Sequence, residues 1–345
     1  MTTNFDLIED IYPASYLQMG MLLESNLDVY GTYHDVFSYL IKSEFNENKV
    51  FSIWNQLVNK HELLRSSFVL NHDNGWNVIV YKSAEIEYQV CTNQNTQELI
   101  IKERLKDFDY SKPGLFRLII NDLGDSFNLI FSFHHVIADG WSIANLINEF
   151  IEAYNNDKLI KPNINLRYGE FVKNELYAIK DETNLAFWKE YLHDLNITRA
   201  NWKFDNERSA SSLYTSSFTL IPEQVTLVHK IAKSLKVSID SIFLLAYLKV
   251  LSYFTNNSDI TIGLVVNNRL EKEEGDELFG LFLNTIPFRV QLNDKIANLN
   301  EVAEVFNNKV KLQRYRQLPY GYIKSLFKQE LYDFAFNFTH FNVGP

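Results

Sequence analysis

The chain has 345 residues, of which 46% are hydrophobic and 14% aromatic, including 26 Phe and 19 Tyr. That length and apolar content are enough for a real buried core and suggest two lobes. The formal charge of −10 argues against nucleic acid as a partner, because phosphate binding needs a basic stripe; the single cysteine, Cys91, excludes an internal disulfide. Met1 is followed by polar Thr2, Thr3 and Asn4 instead of a basic and then apolar leader. The longest apolar run, 242–251, is interrupted by Lys249 and is too short to span a bilayer. The expectation is a cytoplasmic protein with no membrane partner.

In chain order, Ser15 is a candidate N-cap for a helix over 15–24. Val36, Phe37, Tyr39 and Ile41 suggest a strand, and Val50, Ile53, Trp54 and Leu57 the apolar face of a helix over 48–59. Strands are predicted over 67–70, 76–81 and 86–90, with Asn74-Gly75 as the hairpin turn between the first two. A helix over 96–106 precedes two strands, 116–120 and 127–133, that pair across Gly124. Further on come helices over 168–179 and 183–192, a polar stretch over 196–212 and a strand over 214–220. Pro222 then stands in the first turn of a helix ending at Leu235. A long apolar helix over 238–254, a β-branched strand over 259–266 and a helix over 299–313 complete the pattern. Lys309, Lys311, Arg314 and Arg316 gather near the end of that last helix, where cations complement its dipole. Alternating elements with several hairpins predict α+β lobes with mixed or antiparallel sheets. The first lobe is taken as 1–165, ending in the polar connection around Pro162, and the second as 166–345.

Between the strand ending at Phe133 and the helix beginning at Ile143 lies His134-His135-Val136-Ile137-Ala138-Asp139-Gly140-Trp141-Ser142. A turn of this kind can hold a polar side chain rigidly while exposing it. Imidazole suits general-base work because its ordinary pKa lies near neutrality. A nearby aspartate can bind an arginine or a ring N–H, and glycine permits a tight turn. The same residues also fit a hydrogen-bonded structural histidine, and adjacent histidines on a strand point to opposite faces. Zinc is disfavoured, since His-His has the wrong spacing for chelation from one face and only one cysteine is present. Neither a GxSxG elbow nor a Walker-type loop occurs, which leaves serine hydrolase and nucleotide-binding readings without support.

The nonapeptide resembles the HHxxxDG signature of the condensation domains of nonribosomal peptide synthetases. Those domains resemble chloramphenicol acetyltransferase in fold and in placing a histidine at the cleft. The likeness continues in family order. Tyr12-Pro13-Ala14-Ser15-Tyr16-Leu17-Gln18-Met19-Gly20-Met21 is similar to the opening motif, and His61-Glu62-Leu63-Leu64-Arg65-Ser66-Ser67-Phe68 to the second. Tyr168-Gly169-Glu170-Phe171 is similar to the fourth, and Phe279-Gly280-Leu281-Phe282-Leu283-Asn284-Thr285-Ile286-Pro287-Phe288-Arg289 to the fifth. Weaker echoes follow at Leu318-Pro319-Tyr320, which lacks the usual His or Gln before Tyr-Pro, and over 333–338. Family members continue beyond the last motif, whereas this sequence ends at Gly344-Pro345, so the C-terminal lobe is expected to be shortened.

The resemblance implies an α+β fold of two chloramphenicol-acetyltransferase-like lobes around a central cleft or tunnel. It implies acyl transfer from a donor thioester to the amine of an acceptor amino acid, making an amide in antibiotic-type secondary metabolism. Each reactant would be held by a peptidyl carrier protein on a phosphopantetheine arm, with adenylation domains as neighbours; no directly bound cofactor and no metal are implied. His135 is then the central catalytic residue, by proton removal or by hydrogen-bonded positioning. Gly140 could present its N–H to a developing oxyanion, or simply make a turn. His134 and Asp139 support the site. Arg269, Arg289 and Arg65 are the candidates to pair with Asp139; for Arg65 a structural salt bridge, for instance to Glu62, and a functional contact stand equally open. Trp141 and Ser142 would line the cleft or anchor and cap the following helix, and Asn284 and Thr285 would line the cleft floor or make a turn; Tyr168 and Trp188 read as packing. Two other readings stand beside amide formation: a freestanding acyltransferase making an ester or amide from a soluble thioester, and a non-catalytic recruitment domain of the same fold. The intact His134, His135, Asp139 and Gly140 favour catalysis over the last.

Overall fold

The computed structural model describes residues 5–27, 32–71, 75–161, 164–199, 215–293 and 298–339. These form an α+β protein in two compact units, the first Met1–Lys180 with Asn267–Leu283 and the second Asp181–Val266 with Asn284–Thr339. The first unit thus runs past the boundary expected at 165 and takes back a later segment. The cause is local, because the helix over Tyr168–Lys180 is packed by Tyr168, Phe171 and Val172 into the first unit's core.

The first unit holds β1 (Ile8–Pro13), α1 (Tyr16–Leu27), β2 (His34–Ile41), α2 (Glu47–Lys60), β3 (Ser66–Asn71), β4 (Gly75–Tyr81), β5 (Glu87–Thr92), α3 (Thr96–Arg104), β6 (Phe116–Asp122), β7 (Phe127–His134), α4 (Gly140–Asn156) and α5 (Tyr168–Lys180). A four-stranded sheet runs in the order β2-β7-β6-β5, antiparallel except for the parallel pair β5/β6, and a three-stranded antiparallel sheet runs β1-β4-β3. The four-stranded sheet is covered on both faces, and β7 alternates accordingly, with aromatic and aliphatic residues on one face and Asn128, Ile130 and Ser132 on the other, where Asn128 and Ser132 hydrogen-bond to Thr96 and Glu103. Its odd positions, Phe127, Leu129, Phe131 and Phe133, join the large core with α2 and α4, while Ile130 joins Val36, Ile119 and the α3 residues Leu99 and Ile100. Trp54 of α2 lies flat on Phe131, at 5.4 Å and 12°, and is flanked by Phe116 and Phe150.

The helix caps are local chemistry at work. The side chains of Asn46 and Asn95 accept the first amides of α2 and α3, satisfying donors that have no partner within the helix. Gly75 and Gly124 adopt φ of +80° and +95° at the strand connections, a region that favours glycine; Asn74, the other half of the expected turn, lies outside the described residues.

The second unit holds α6 (Glu182–Tyr191), α7 (Pro222–Leu235), α8 (Ile239–Thr255), β8 (Asp259–Asn267), β9 (Leu283–Gln291), α9 (Leu299–Gln313), α10 (Tyr320–Phe327) and β10 (Ala335–Phe336), with a sheet in the order β10-β8-β9. Trp188 is fully buried and donates to Tyr315 O, and Lys249 makes a buried ion pair with Glu301, which also caps α9. Of the strand expected over 214–220, residues 215–220 carry no regular structure and Tyr214 lies outside the described residues. Most of the polar stretch over 196–212, and Pro162, also lie outside them. Among the described residues no single helix is long and apolar enough to cross a membrane.

The Trp54 stack predicts that Trp54→Ala lowers unfolding free energy by about 3–5 kcal/mol, with Trp54→Phe costing clearly less because a ring still fills the layer. Urea unfolding of the two variants checks this; equal losses would show that ring packing is not what stabilises this face.

Candidate active site

β7 closes on His134, which lies opposite His34 in the neighbouring strand and is 2% exposed. Its Nδ1 accepts the Val136 N–H at 3.1 Å, which puts the ring proton on Nε2, where Ser25 Oγ accepts it at 3.1 Å. Burial, with smaller contributions from His135 and His34, pushes this imidazole down to about 3. It is neutral near physiological pH and acts as a structural part of the turn.

His135 opens a single 3₁₀ turn, His135–Ile137, whose Val136 and Ile137 side chains are fully buried. Its N–H donates to Tyr33 O at 2.7 Å. Tyr33 itself has φ +68°, an uncommon conformation for a bulky residue. The His135 ring is half-buried and stands edge-on to Phe133 at 6.3 Å. Its Nδ1 is sealed from solvent and has no hydrogen-bond partner among the described residues. Among those residues, then, no carboxylate orients this ring in the manner of a Ser-His-Asp triad. The turn is held through its backbone instead: Gln18, fully buried in α1, donates from Nε2 to Val136 O at 2.9 Å.

Asp139 caps α4 and is 2% exposed. Its Oδ1 accepts from Ser142 N at 2.8 Å and from Arg269 Nη2 at 3.0 Å, and its Oδ2 accepts from Phe282 N at 3.1 Å. Ser142 Oγ donates to Gly280 O at 2.7 Å and accepts from Gly280 N and Arg269 Nη2. Arg269 also donates to Leu278 O at 2.5 Å and lies 4.4 Å from the centre of the Phe282 ring. Burial pulls this guanidinium below its ordinary value, and the Asp139 carboxylate opposes that. Only glycine fits at position 280, since a Cβ there would sit 2.5 Å from the Tyr168 ring.

Arg269 is thus the partner of Asp139, and the other two arginines are engaged elsewhere. Arg65 pairs with Glu9 at 2.6 Å and donates to Tyr81 O, so its expected bond to Glu62 does not form. Glu62 instead accepts from Arg167, Tyr12 OH and Tyr168 N. Arg289 pairs with Asp259 at 2.7 Å in the second unit. Asn284 is an internal clamp: it donates to Arg316 O and Leu318 O and accepts from Tyr320 N, fixing the entry to α10. Thr285 is half-buried in β9, and its carbonyl accepts from Tyr332 OH. Trp141 donates to Asp276 O, and with Ser142, His61, Glu149 and Phe279 it borders a groove of about 470 Å³ in the first unit. Gly140 is exposed at the start of the 17-residue α4. Its N–H precedes the first intrahelical acceptor, at the positive end of the helix dipole. Among the described residues no group of three or more His, Cys, Asp or Glu could hold a metal ion.

Sequence reasoning reads Tyr168 as packing alone and gives Gln18 no bond beyond the helix start. Tyr168 OH donates to Leu281 O at 2.7 Å, beside the Asp139 cluster. Glu175, 6% exposed on α5, accepts the Tyr16 N–H at 2.8 Å and so caps α1; nothing in the sequence signals it. Burial raises this carboxyl to about 7.

The sequence matches the family model of the condensation domain over residues 8–342, so this chain belongs to the condensation-domain family. It is 28% identical over 360 residues to one of the plipastatin synthase proteins of Bacillus subtilis (strain 168), covering 97% of this chain and 14% of that protein. To tyrocidine synthase 3 of Brevibacillus parabrevis it is 28% identical over 352 residues, covering 97% of this chain and 5% of that one. The chain therefore spans a small part of these curated relatives. Among solved structures it resembles the condensation domain from the monacolin K polyketide synthase, with TM-score 0.78, 16% identity and coverage of 94% of this chain and 78% of that one. It also resembles the first condensation domain of the calcium-dependent antibiotic synthetase bound to a substrate analogue, with TM-score 0.76, 15% identity and coverage of 95% and 79%. At these identities the structural likeness is one of fold.

The buried charges generate two stability predictions. Asp139→Ala leaves Arg269 without its counter-charge and should cost about 3–5 kcal/mol of unfolding free energy in urea; a loss below about 1 kcal/mol would mean the pair contributes little. Glu175 has a folded-state value of about 7 against an ordinary 4.5, so the folded protein holds this proton more tightly than the unfolded chain. Its contribution is full below the ordinary carboxylate range and is lost as pH rises to about 7. Glu175→Gln keeps the acceptor for Tyr16 but removes the charge. The variant should match the parent at pH 4 and exceed it by up to about 3 kcal/mol at pH 8, measured by urea unfolding at both pH values.

Proposed function

We propose that this chain forms an amide between a donor acyl or peptidyl thioester and the amine of an acceptor amino acid, each tethered by phosphopantetheine to a peptidyl carrier protein of a nonribosomal peptide synthetase. Membership of the condensation-domain family supports the reaction class. The observation that carries the reading is the intact turn: a half-buried His135 held by backbone bonds, five residues ahead of Gly140 and the start of α4.

The chemistry asks little of a strong base. The acceptor nitrogen attacks the thioester carbonyl, a C–N bond forms, the tetrahedral intermediate collapses and the C–S bond breaks, releasing the donor arm as thiolate. The nitrogen must lose a proton along the way. His135 accepts a hydrogen bond from that nitrogen, orients its lone pair and takes up the proton, and the departing thiolate is its final acceptor. Orientation of two tethered reactants can supply roughly 7–11 kcal/mol of a barrier in favourable cases, enough for a group with no carboxylate behind it to serve mainly by position. Gly140 N–H, at the positive end of α4, is suited to the developing oxyanion. Asp139 takes no part in proton transfer, because Arg269, Ser142 and Phe282 already occupy it.

A single-turnover assay with two loaded carrier proteins tests this. The parent chain should give dipeptidyl-carrier product, and His135→Ala should lower its rate by about 10²–10⁴-fold. Product from a free coenzyme A thioester but none from carriers would favour a freestanding acyltransferase. Carrier binding with no turnover in either protein would favour a recruitment domain.

A further inference from the structure

We propose that Gln18 is a positioning residue for His135, acting through the amide half of its side chain on the carbonyl of Val136. The proposal rests on the amide-forming reading above and deepens it. Ser15 and Gln18 make a capping arrangement at the start of α1: Ser15 N donates to Gln18 Oε1 at 3.0 Å, and Gln18 N donates to Ser15 Oγ at 3.3 Å. Such a box works equally well with glutamate, since it uses only the side-chain oxygen. Here the other half of the group is also in use. Gln18 Nε2 crosses to a residue 118 positions away and donates to Val136 O at 2.9 Å, with the whole side chain buried. Val136 follows His135 directly, and its N–H is bound to His134 Nδ1. The peptide groups around the catalytic imidazole are therefore pinned from three sides: by Tyr33 O on His135 N, by His134 on Val136 N and by Gln18 on Val136 O.

The second and third of these matter because the His135 ring has no side-chain anchor of its own; its Nδ1 meets no partner among the described residues. Ring placement must come from the backbone and from packing on Phe133. α1 is itself seated at its first turn by Glu175 on Tyr16 N and by the contact of Tyr168 OH with Ser15 Oγ at 3.4 Å. Gln18, in the first turn of α1, carries that seating to the carbonyl of Val136, while Ser25 near the other end of the same helix meets the His134 ring.

Gln18→Glu separates positioning from capping. It keeps the oxygen that Ser15 needs and replaces the donor facing Val136 O with an acceptor. At pH 8 the ionised side chain should lower kcat by about 10–100-fold, the scale set by small misplacements of reacting groups, while KM for either loaded carrier changes less than threefold. When protonated, the carboxyl can again donate to Val136 O, so the deficit relative to the parent should shrink as pH falls towards 6. A purely structural cap predicts parental kcat at pH 8, and that result would overturn the proposal. The second readout does not depend on turnover. In protein carrying ¹³C-labelled histidine, with the His135 signal assigned from His135→Ala, the His135 ring resonance should move in Gln18→Glu at pH 8 and return towards its parental position at pH 6. An unmoved resonance overturns the proposal even if the parent shows no condensation, whereas a moved resonance with an inactive parent counts against the reaction alone. Should Gln18→Glu not fold at pH 8, Gln18→Met, similar in size and uncharged, should show the same loss of kcat and the same shift at every pH; parental behaviour in that variant is equally fatal.

Discussion

The Asp139 carboxylate is the constraint from which the local architecture follows. It is buried and matched on all sides by one guanidinium and two backbone amides. A buried charge is costly unless every lone pair is used, and this one can be satisfied only if α4 begins at Gly140 and the 278–282 segment lies against it. The same carboxylate thus starts α4 and binds a segment that is distant in sequence. Ser142 doubles the connection by exchanging two hydrogen bonds with Gly280. Tyr168 closes it from the other side, packed so tightly on Gly280 that no side chain could be accommodated there.

What could be read from the sequence was what depends on local rules. The α2 stripe of Val50, Ile53, Trp54 and Leu57, the β6/β7 hairpin across Gly124 and the proline-started α7 all follow from periodicity and turn chemistry. β1 and α10 carry weak patterns: β1 is only six residues long and mostly exposed, and α10 only eight. The expected strand over 214–220 fails because alternation there is not matched by a pairing partner for the described residues. Choosing among Arg65, Arg269 and Arg289 requires tertiary structure, since all three sit beside strands and all three end in ion pairs. Asn284 misleads for a related reason, as its amide resembles a site group but is consumed by carbonyls around α10.

Gln18 and Glu175 show where sequence reading stops. Gln18 stands three residues after Ser15 and reads as one half of a cap, which it is; the destination of its amide nitrogen cannot be inferred from spacing. Glu175 looks like one more carboxylate on an amphipathic helix. Its burial against the start of α1 turns it into a cap supplied from a distant part of the chain, where a helix N-terminus favours negative charge but burial opposes it, and burial prevails.

The paired histidines divide the work by a difference of one position. His134 is the last residue of a strand, so its ring points into the sheet's packed face, where burial keeps it neutral and its Nδ1 is spent on Val136 N–H. His135 is the first residue beyond the strand, so its direction is set by the 3₁₀ turn and not by the pleat. A neutral first imidazole is what allows the second to sit beside it: a charged ring at 134 would need a counter-ion, and the groups that bond to it are a serine hydroxyl, a tyrosine hydroxyl and a backbone amide. The turn therefore needs His134 as an acceptor and His135 as a ring with an uncommitted nitrogen. That asymmetry leaves the second ring without a carboxylate behind it among the described residues and makes the rigidity of the surrounding backbone the main determinant of where that imidazole stands.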